Sequence, residues 1–225
     1  MNDKDKAVFI RRYRARYQQH GYSPVSLGWG KGGRQHLRFS VLAGIGIGKE
    51  DSVLDIGCGF GDLFGYLKST GWKGRYLGVD IVDALLLEAR RQYSGIRVKN
   101  SDILKDRIAG SFDYVVASGV FNAKLKHEGG AYVYIFRMLK KMFGLCRKGV
   151  AVDFMSSYVD FKHPIAFHAD PARMLKLAKR ISRRVALRHD YMPYEFAVYI
   201  HKKDEIRKDV NTFKDFISCH NQGTA

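Results

Sequence analysis

Cysteine is scarce in this chain. The 225 residues hold three, Cys58, Cys146 and Cys219, far apart and without CxxC spacing. They suggest neither a disulfide framework nor a zinc site, so no metal is expected and a reducing cytoplasm is the default setting. Proline is scarce too, at four residues, while 46% of the chain is apolar. That composition excludes a disordered chain and predicts one globular α/β domain with additions. Long apolar runs are missing. None approaches the roughly 20 residues that cross a bilayer. The N-terminal stretch MNDKDKAVFIRRYRARY puts acids first and arginines inside its short apolar patch, which is not the pattern of a secretory signal. Acid is the last shortage: Lys+Arg number 39 against Asp+Glu 22, a formal net charge of +17. Residues 1–40 hold Lys4, Lys6, Arg11, Arg12, Arg14, Arg16, Lys31, Arg34 and Arg38 against Asp3 and Asp5 alone. Residues 171–188 hold Arg173, Lys176, Lys179, Arg180, Arg183, Arg184 and Arg188 with no acid. Such a field suits anionic partners, such as nucleic acid, phosphorylated metabolites or an anionic membrane surface, and it serves solubility equally.

What is present alternates. Residues 7–19 read as a helix with Ile10, Tyr13 and Tyr17 on one stripe, and 34–47 as a second helix fading into glycines, with a glycine- and serine-rich loop between. From residue 51, DSVLDIG, RYLGVD, GIRVKNSD, FDYVVASG and VAVDFMSS read as strands separated by helical segments. RRVALRHD and YEFAVYIHK, joined by YMPY, close the pattern as a hairpin. The expected fold is a doubly wound, mostly parallel seven-stranded sheet with a closing antiparallel hairpin, in three α/β/α layers. The expected division is an N-terminal, lid-like cap over 1–48, a ligand-binding domain over 49–203 and a tail over 204–225. Ligands of such sheets bind at the carboxyl ends of the strands, and every motif below lies at such an end.

The central motif is VLDIGCGFGDL, residues 53–63. A dinucleotide fingerprint needs G-x-G-x-x-G. Here Gly57, Gly59 and Gly61 fall one residue short of it. Asp55, two residues before the first glycine, would also repel a phosphate and suits a ligand with a positive group. Both departures point away from NAD or FAD.

VLDIGCGFGDL, YLGVDI, NSDIL and FDYVVASGVF, in that order, resemble the four motifs of the class I S-adenosylmethionine (SAM)-dependent methyltransferases over about residues 50–201. The resemblance implies SAM as cofactor and a role for each residue. Asp55 would face the methionine ammonium. Gly57 and Gly59 would let the backbone approach the ligand. Asp80 would accept from both ribose hydroxyls, with Ile81 against the adenine. Asp102 would accept from the adenine amino group, with the Ile103 N–H on a ring nitrogen. Ser118 and Gly119 would touch the methionine part. Trp29 and Arg34 or Arg38, from the lid, would close over the cofactor or pair with its carboxylate or with an anionic substrate.

The acceptor is less marked. SGVFN lacks the Asn/Asp-Pro-Pro-aromatic motif of exocyclic-amine methylation, no cysteine is placed for pyrimidine carbon methylation, and no acids are placed for metal-assisted transfer. Asn122, His127 and Tyr158 follow the strands that border the methyl group in this fold and are the expected catalytic residues. The expected activity is transfer to an O or N atom of a small-molecule acceptor, possibly anionic. RNA held by the two basic segments is the alternative, and a SAM-binding protein without transfer activity is the third reading.

Overall fold

A computed structural model describes residues 2–29, 34–125 and 130–203. Helix α1 (Asp3–His20) begins at Asn2, whose side chain accepts from Lys4 N, and ends at Gly21. A short 3-10 turn (Pro24–Leu27) follows, then α2 (Gln35–Ala43). The alternating part comprises β1 (Val53–Ile56), α3 (Asp62–Ser69), β2 (Tyr76–Asp80), α4 (Asp83–Gln92), β3 (Val98–Asn100), β4 (Phe112–Ala117), α5 (Ala131–Leu145) and β5 (Cys146–Met155). Helix α6 (Pro171–Lys179) and the strands β6 (Val185–Met192) and β7 (Glu195–His201) complete it. The strand order is β3-β2-β1-β4-β5-β7-β6. The first five strands are parallel and β7 runs antiparallel to both neighbours, so the expected sheet and hairpin are present.

The order reverses between β1 and β4, and a cleft opens there at the carboxyl ends. Side chains alternate across the sheet. Leu54 and Ile56 of β1 join a core with Ile135, Met138, Leu139 and Met142 of α5 and Met174 and Ala178 of α6. Val53 joins the opposite core with Phe39 and Leu42 of α2 and Leu63, Phe64 and Leu67 of α3. Helix α6 starts where its sequence dictates: the Asp170 side chain accepts from Arg173 N, and Pro171 fills the first turn.

Three expectations need adjustment. Strand β5 begins at Cys146, directly after α5, so Arg147 and Lys148 belong to the strand, which starts earlier than the expected VAVDFMSS. Their charges are met at the sheet's lower edge, Arg147 by Asp113 at 2.9 Å and Lys148 by Asp51. Strand β3 spans only three residues. Among the described residues of 1–48, those that line the cleft at the carboxyl ends of the strands come from α1, the 3-10 turn and Trp29. Helix α2 is part of the core layer, and Tyr199 Oη of β7 donates to its Val41 carbonyl.

Candidate active site

The glycine turn after β1 is tied down before any ligand is considered. Gly57 N donates to the Val79 carbonyl at 2.7 Å and Gly59 N to Asp80 Oδ2 at 2.9 Å. Gly57 and Gly119 both have left-handed φ, at 70°. A Cβ on Gly57 would lie 2.5 Å from the Val120 side chain, and one on Gly119 would lie 2.6 Å from the Trp29 ring. Only glycine fits where the two strand-end loops and the lid converge.

A cavity of about 150 Å³ opens above this turn. Gly57, Gly59, Asp80, Ile81, Asp102, Ile103, Ser118 and Gly119 line its sheet side, and Phe9, Tyr13, Leu27 and Trp29 its lid side. Eight residues expected to hold the cofactor, spread over 62 positions of sequence from Gly57 to Gly119, therefore meet in one cleft, together with Trp29. Asp80 is buried, and burial raises its carboxyl above the ordinary range against the pull of its N–H partners. Its oxygens accept from Gly59 N and Val82 N, each at 2.9 Å, which leaves one lone pair on each oxygen. Asp102 is more telling. Its Oδ1 accepts from Leu104 N at 3.1 Å, while its buried Oδ2 has no hydrogen-bond donor. Lys6 Nζ of the lid stands 3.5 Å away as an ion partner. A buried acceptor left without a donor is costly, and Asp102 is a residue of the cavity lining. The site thus suits a ligand that brings a donor for Asp102 and hydroxyls for Asp80, with a flat body against Ile81, Val82 and Leu85.

Several side chains take places the sequence does not announce. Asp55 does not line the cavity. It shares the sheet face of Val53, is 3% exposed, and accepts from Tyr76 Oη at 2.7 Å. Burial pushes its carboxyl up to about 7. Arg34 is exposed at the start of α2 and lines neither this cavity nor the one beside it. Arg38 stacks on the Trp29 ring, 4.1 Å from its centroid, and grips Glu195 with two hydrogen bonds, one of 2.6 Å. It positions the lid tryptophan and is not free for a ligand carboxylate. Tyr158 is 64% exposed, stacks on His189 and lines neither cavity. Asn122 is a staple: its Oδ1 accepts from Met155 N at 2.8 Å and its carbonyl from Phe167 N at 2.9 Å. His127 lies outside the described residues.

Two contributions were missed. Asp153 of β5 is buried and holds the β4 exit, accepting from Ser118 Oγ and Gly119 N at 2.6 Å each. Burial raises it to about 6. An acid in the middle of an apolar strand, VAVDFM, was the available signal. The other is the pair Phe9 and Tyr13, which line the cavity; the stripe of Ile10, Tyr13 and Tyr17 was legible as a packing face, and Phe9 was not part of it. Polar contacts seat that helix: Tyr17 Oη donates to Glu88 at 2.6 Å, Tyr22 Oη to Asp62 at 2.7 Å, and Lys105 pairs with Asp3.

A second, larger cavity of about 590 Å³ adjoins the first and shares Tyr13, Leu27, Trp29, Gly119 and Ala123 with it. Asn122, Met155 and the 159–168 loop form its far wall. His168 uses both ring nitrogens there. Nδ1 faces the Ser156 carbonyl at 3.0 Å, so it carries the proton, and Nε2 accepts from His163 N at 3.2 Å.

Known proteins resemble this arrangement. A family model described as a methyltransferase domain matches residues 53–142. A Mycobacterium tuberculosis protein named as a methyltransferase, Rv1506c, is 35% identical over 155 residues, which cover 67% of this chain and 93% of that protein. Among solved structures, the SAH complex of magnesium protoporphyrin IX methyltransferase from Synechocystis PCC 6803 aligns with a TM-score of 0.63 at 17% identity. It covers 89% of this chain and 97% of that one. The small RNA methyltransferase HEN1 aligns with a TM-score of 0.59 at 15% identity, over 77% of this chain and 26% of that one. At these identities the structural matches speak for the fold.

Proposed function

Because this chain belongs to the class I SAM-dependent methyltransferases, we propose that it moves the methyl group of SAM to an oxygen or nitrogen atom of a small molecule seated in the second cavity. The observation that carries this reading is the cavity of about 590 Å³ that adjoins the cofactor cleft and shares Trp29 and Gly119 with it. When bound, SAM supplies an activated methyl group on a sulfonium, so the protein's work is alignment and the exclusion of water.

Asp80 would hold the ribose hydroxyls on its two remaining lone pairs, and Asp102 Oδ2 the adenine amino group, with Ile81 and Ile103 flanking the ring. Gly57, Gly59, Ser118 and Gly119 would border the methionine part, the last two held in place by Asp153. Asp55 supports the turn from behind through Tyr76. Asn122 fixes the β4 and β5 exits against each other and so shapes the passage between the chambers. With both ring nitrogens of His168 used and His163 Nδ1 accepting from Ile165 N at 3.4 Å, Asp160, which takes one hydrogen bond from Tyr194 Oη, is the chamber-lining group that remains for an acceptor that must lose a proton.

The RNA reading draws on two basic segments. Only the N-terminal one contributes to a cavity: Arg12 and Arg16 line the second chamber, and no residue of the 171–188 segment lines either. The test is formation of the demethylated cofactor, SAH, across a panel of small O and N nucleophiles and total RNA. Turnover with small acceptors is expected. Turnover with RNA alone would overturn the acceptor class, and SAH binding without turnover on any class would favour a non-catalytic SAM-binding protein.

A further inference from the structure

The second chamber carries a charge that its own residues do not cancel. Three arginines and two acids line it. Arg38 and Glu195 neutralise each other. Asp160 accepts from Tyr194 Oη at 2.5 Å and keeps its charge, so three arginines and two acids leave the lining one positive charge in excess. Arg12 and Arg16 remain, four residues apart on α1 and so on one helix face. Both are half-buried, and no carboxylate of the described residues lies within 4.0 Å of either. Local packing fixes their heads at the wall. The Arg12 guanidinium lies 5.5 Å from the Phe9 ring centroid, and Arg16 Nη1 would be 2.6 Å from a Cβ on Gly28. Two like charges on one helix face, half-desolvated and without a carboxylate partner among the described residues, form a site that an anion would stabilise.

Much of the remaining wall is apolar, with Trp29, Met155, Val159, Phe161 and Ile165. We propose that the acceptor of this enzyme is a molecule with an apolar body and an anionic oxygen group, carboxylate or phosphate, clasped by the guanidinium forks of Arg12 and Arg16. The inference rests on the methyl-transfer reading of the adjoining cleft. It also links the two chambers. The helix that supplies both arginines gives Phe9 and Tyr13 to the cofactor cleft, so a bound anion helps hold the lid shut over both.

The test is calorimetry on the full chain saturated with SAH. The probes are matched pairs, 2-naphthaleneacetate with 2-naphthaleneacetamide and octyl phosphate with octanol. At least one anionic member should bind ten or more times tighter than its neutral partner, and the arm that does so tells carboxylate from phosphate. The Arg12→Gln/Arg16→Gln double variant should lose this preference while its SAH affinity stays within twofold of the parent. The Arg12→Lys/Arg16→Lys variant, which keeps charge without the fork, should fall between them. Equal binding of charged and neutral probes, no binding of either anion, or a preference that survives the Gln substitutions would overturn the proposal. Failure of the parent to bind SAH is a separate readout and would overturn the reading of the cofactor cleft instead.

Discussion

Asp102 is the residue where the cofactor site can be tested most cleanly. Its Oδ1 is used by Leu104 N, and its Oδ2 is buried and free of donors. In Asp102→Asn the Oδ1 bond can persist while an amide donor replaces the free acceptor. Hydrogen bonds to a charged group contribute about 1.5–3 kcal/mol, so SAH affinity should fall roughly 10- to 100-fold by calorimetry; an unchanged affinity would remove Asp102 from the site. Asp55 yields a different prediction. Folded, it keeps its proton to about pH 7, whereas an unfolded aspartate releases it near pH ~4. The folded state binds more protons across that window, so stability falls as pH rises through it. Asp153, raised to about 6, acts in the same sense over a shorter range. Asp55→Asn keeps an acceptor for Tyr76 Oη and cannot ionise. Its stability relative to the parent should therefore improve from pH 5 to pH 8, by at most about 3 kcal/mol, in urea unfolding at each pH. A parallel pH profile for the two proteins would contradict the burial of an ionisable Asp55.

At the scale of elements, Gly61 shows how a correct motif can hide its mechanics. It sits at the N-terminus of α3 with φ 77°, and a Cβ there would collide with Ile96 and touch Ala89 of α4. The third glycine thus does let helices pack closely, although its spacing differs from the dinucleotide pattern. Gly61→Ala combines left-handed strain, about 1–3 kcal/mol, with displacement of Ile96, and should lower the thermal midpoint by several degrees in calorimetric melting. The strands and their order were legible because period-2 and period-3.6 patterns are local, and parallel strands buried on both faces read as apolar runs, as in FDYVVA. That Asp80, Asp102 and the loop glycines share one cavity was legible because strand ends converge in this topology. Asp55, Arg34 and Tyr158 were not, because their roles depend on which way a side chain points and on what is already bonded to it. Asp55 is taken by Tyr76, Arg34 lies outside the cleft, and Tyr158 lies against His189. Asp153 was passed over since a mid-strand acid gains meaning only from the neighbouring strand's exit, a contact 34 residues away in sequence.

Across the whole molecule, charge is sorted by depth. Asp55, Asp80, Asp102 and Asp153 are buried around the cleft, while the chain as a whole carries +17. The acids act at short range within the cleft, and the cationic surface sets the long-range field. SAM carries a net positive charge from its sulfonium, and SAH does not. At low salt the surface should slow the approach of SAM and speed that of an anionic acceptor, and screening should shrink both effects once the Debye length falls below about 10 Å. Raising KCl from 20 to 300 mM should therefore increase the association rate of SAM, leave that of SAH nearly unchanged, and decrease that of octyl phosphate. Stopped-flow fluorescence on the full chain can follow all three, because Trp29 lies between the two chambers. Bound-state contacts are desolvated and respond less to salt, so dissociation rates should move little. If SAM and SAH respond alike, the surface charge does not reach the cleft mouth. The excess of lysine and arginine would then serve solubility alone.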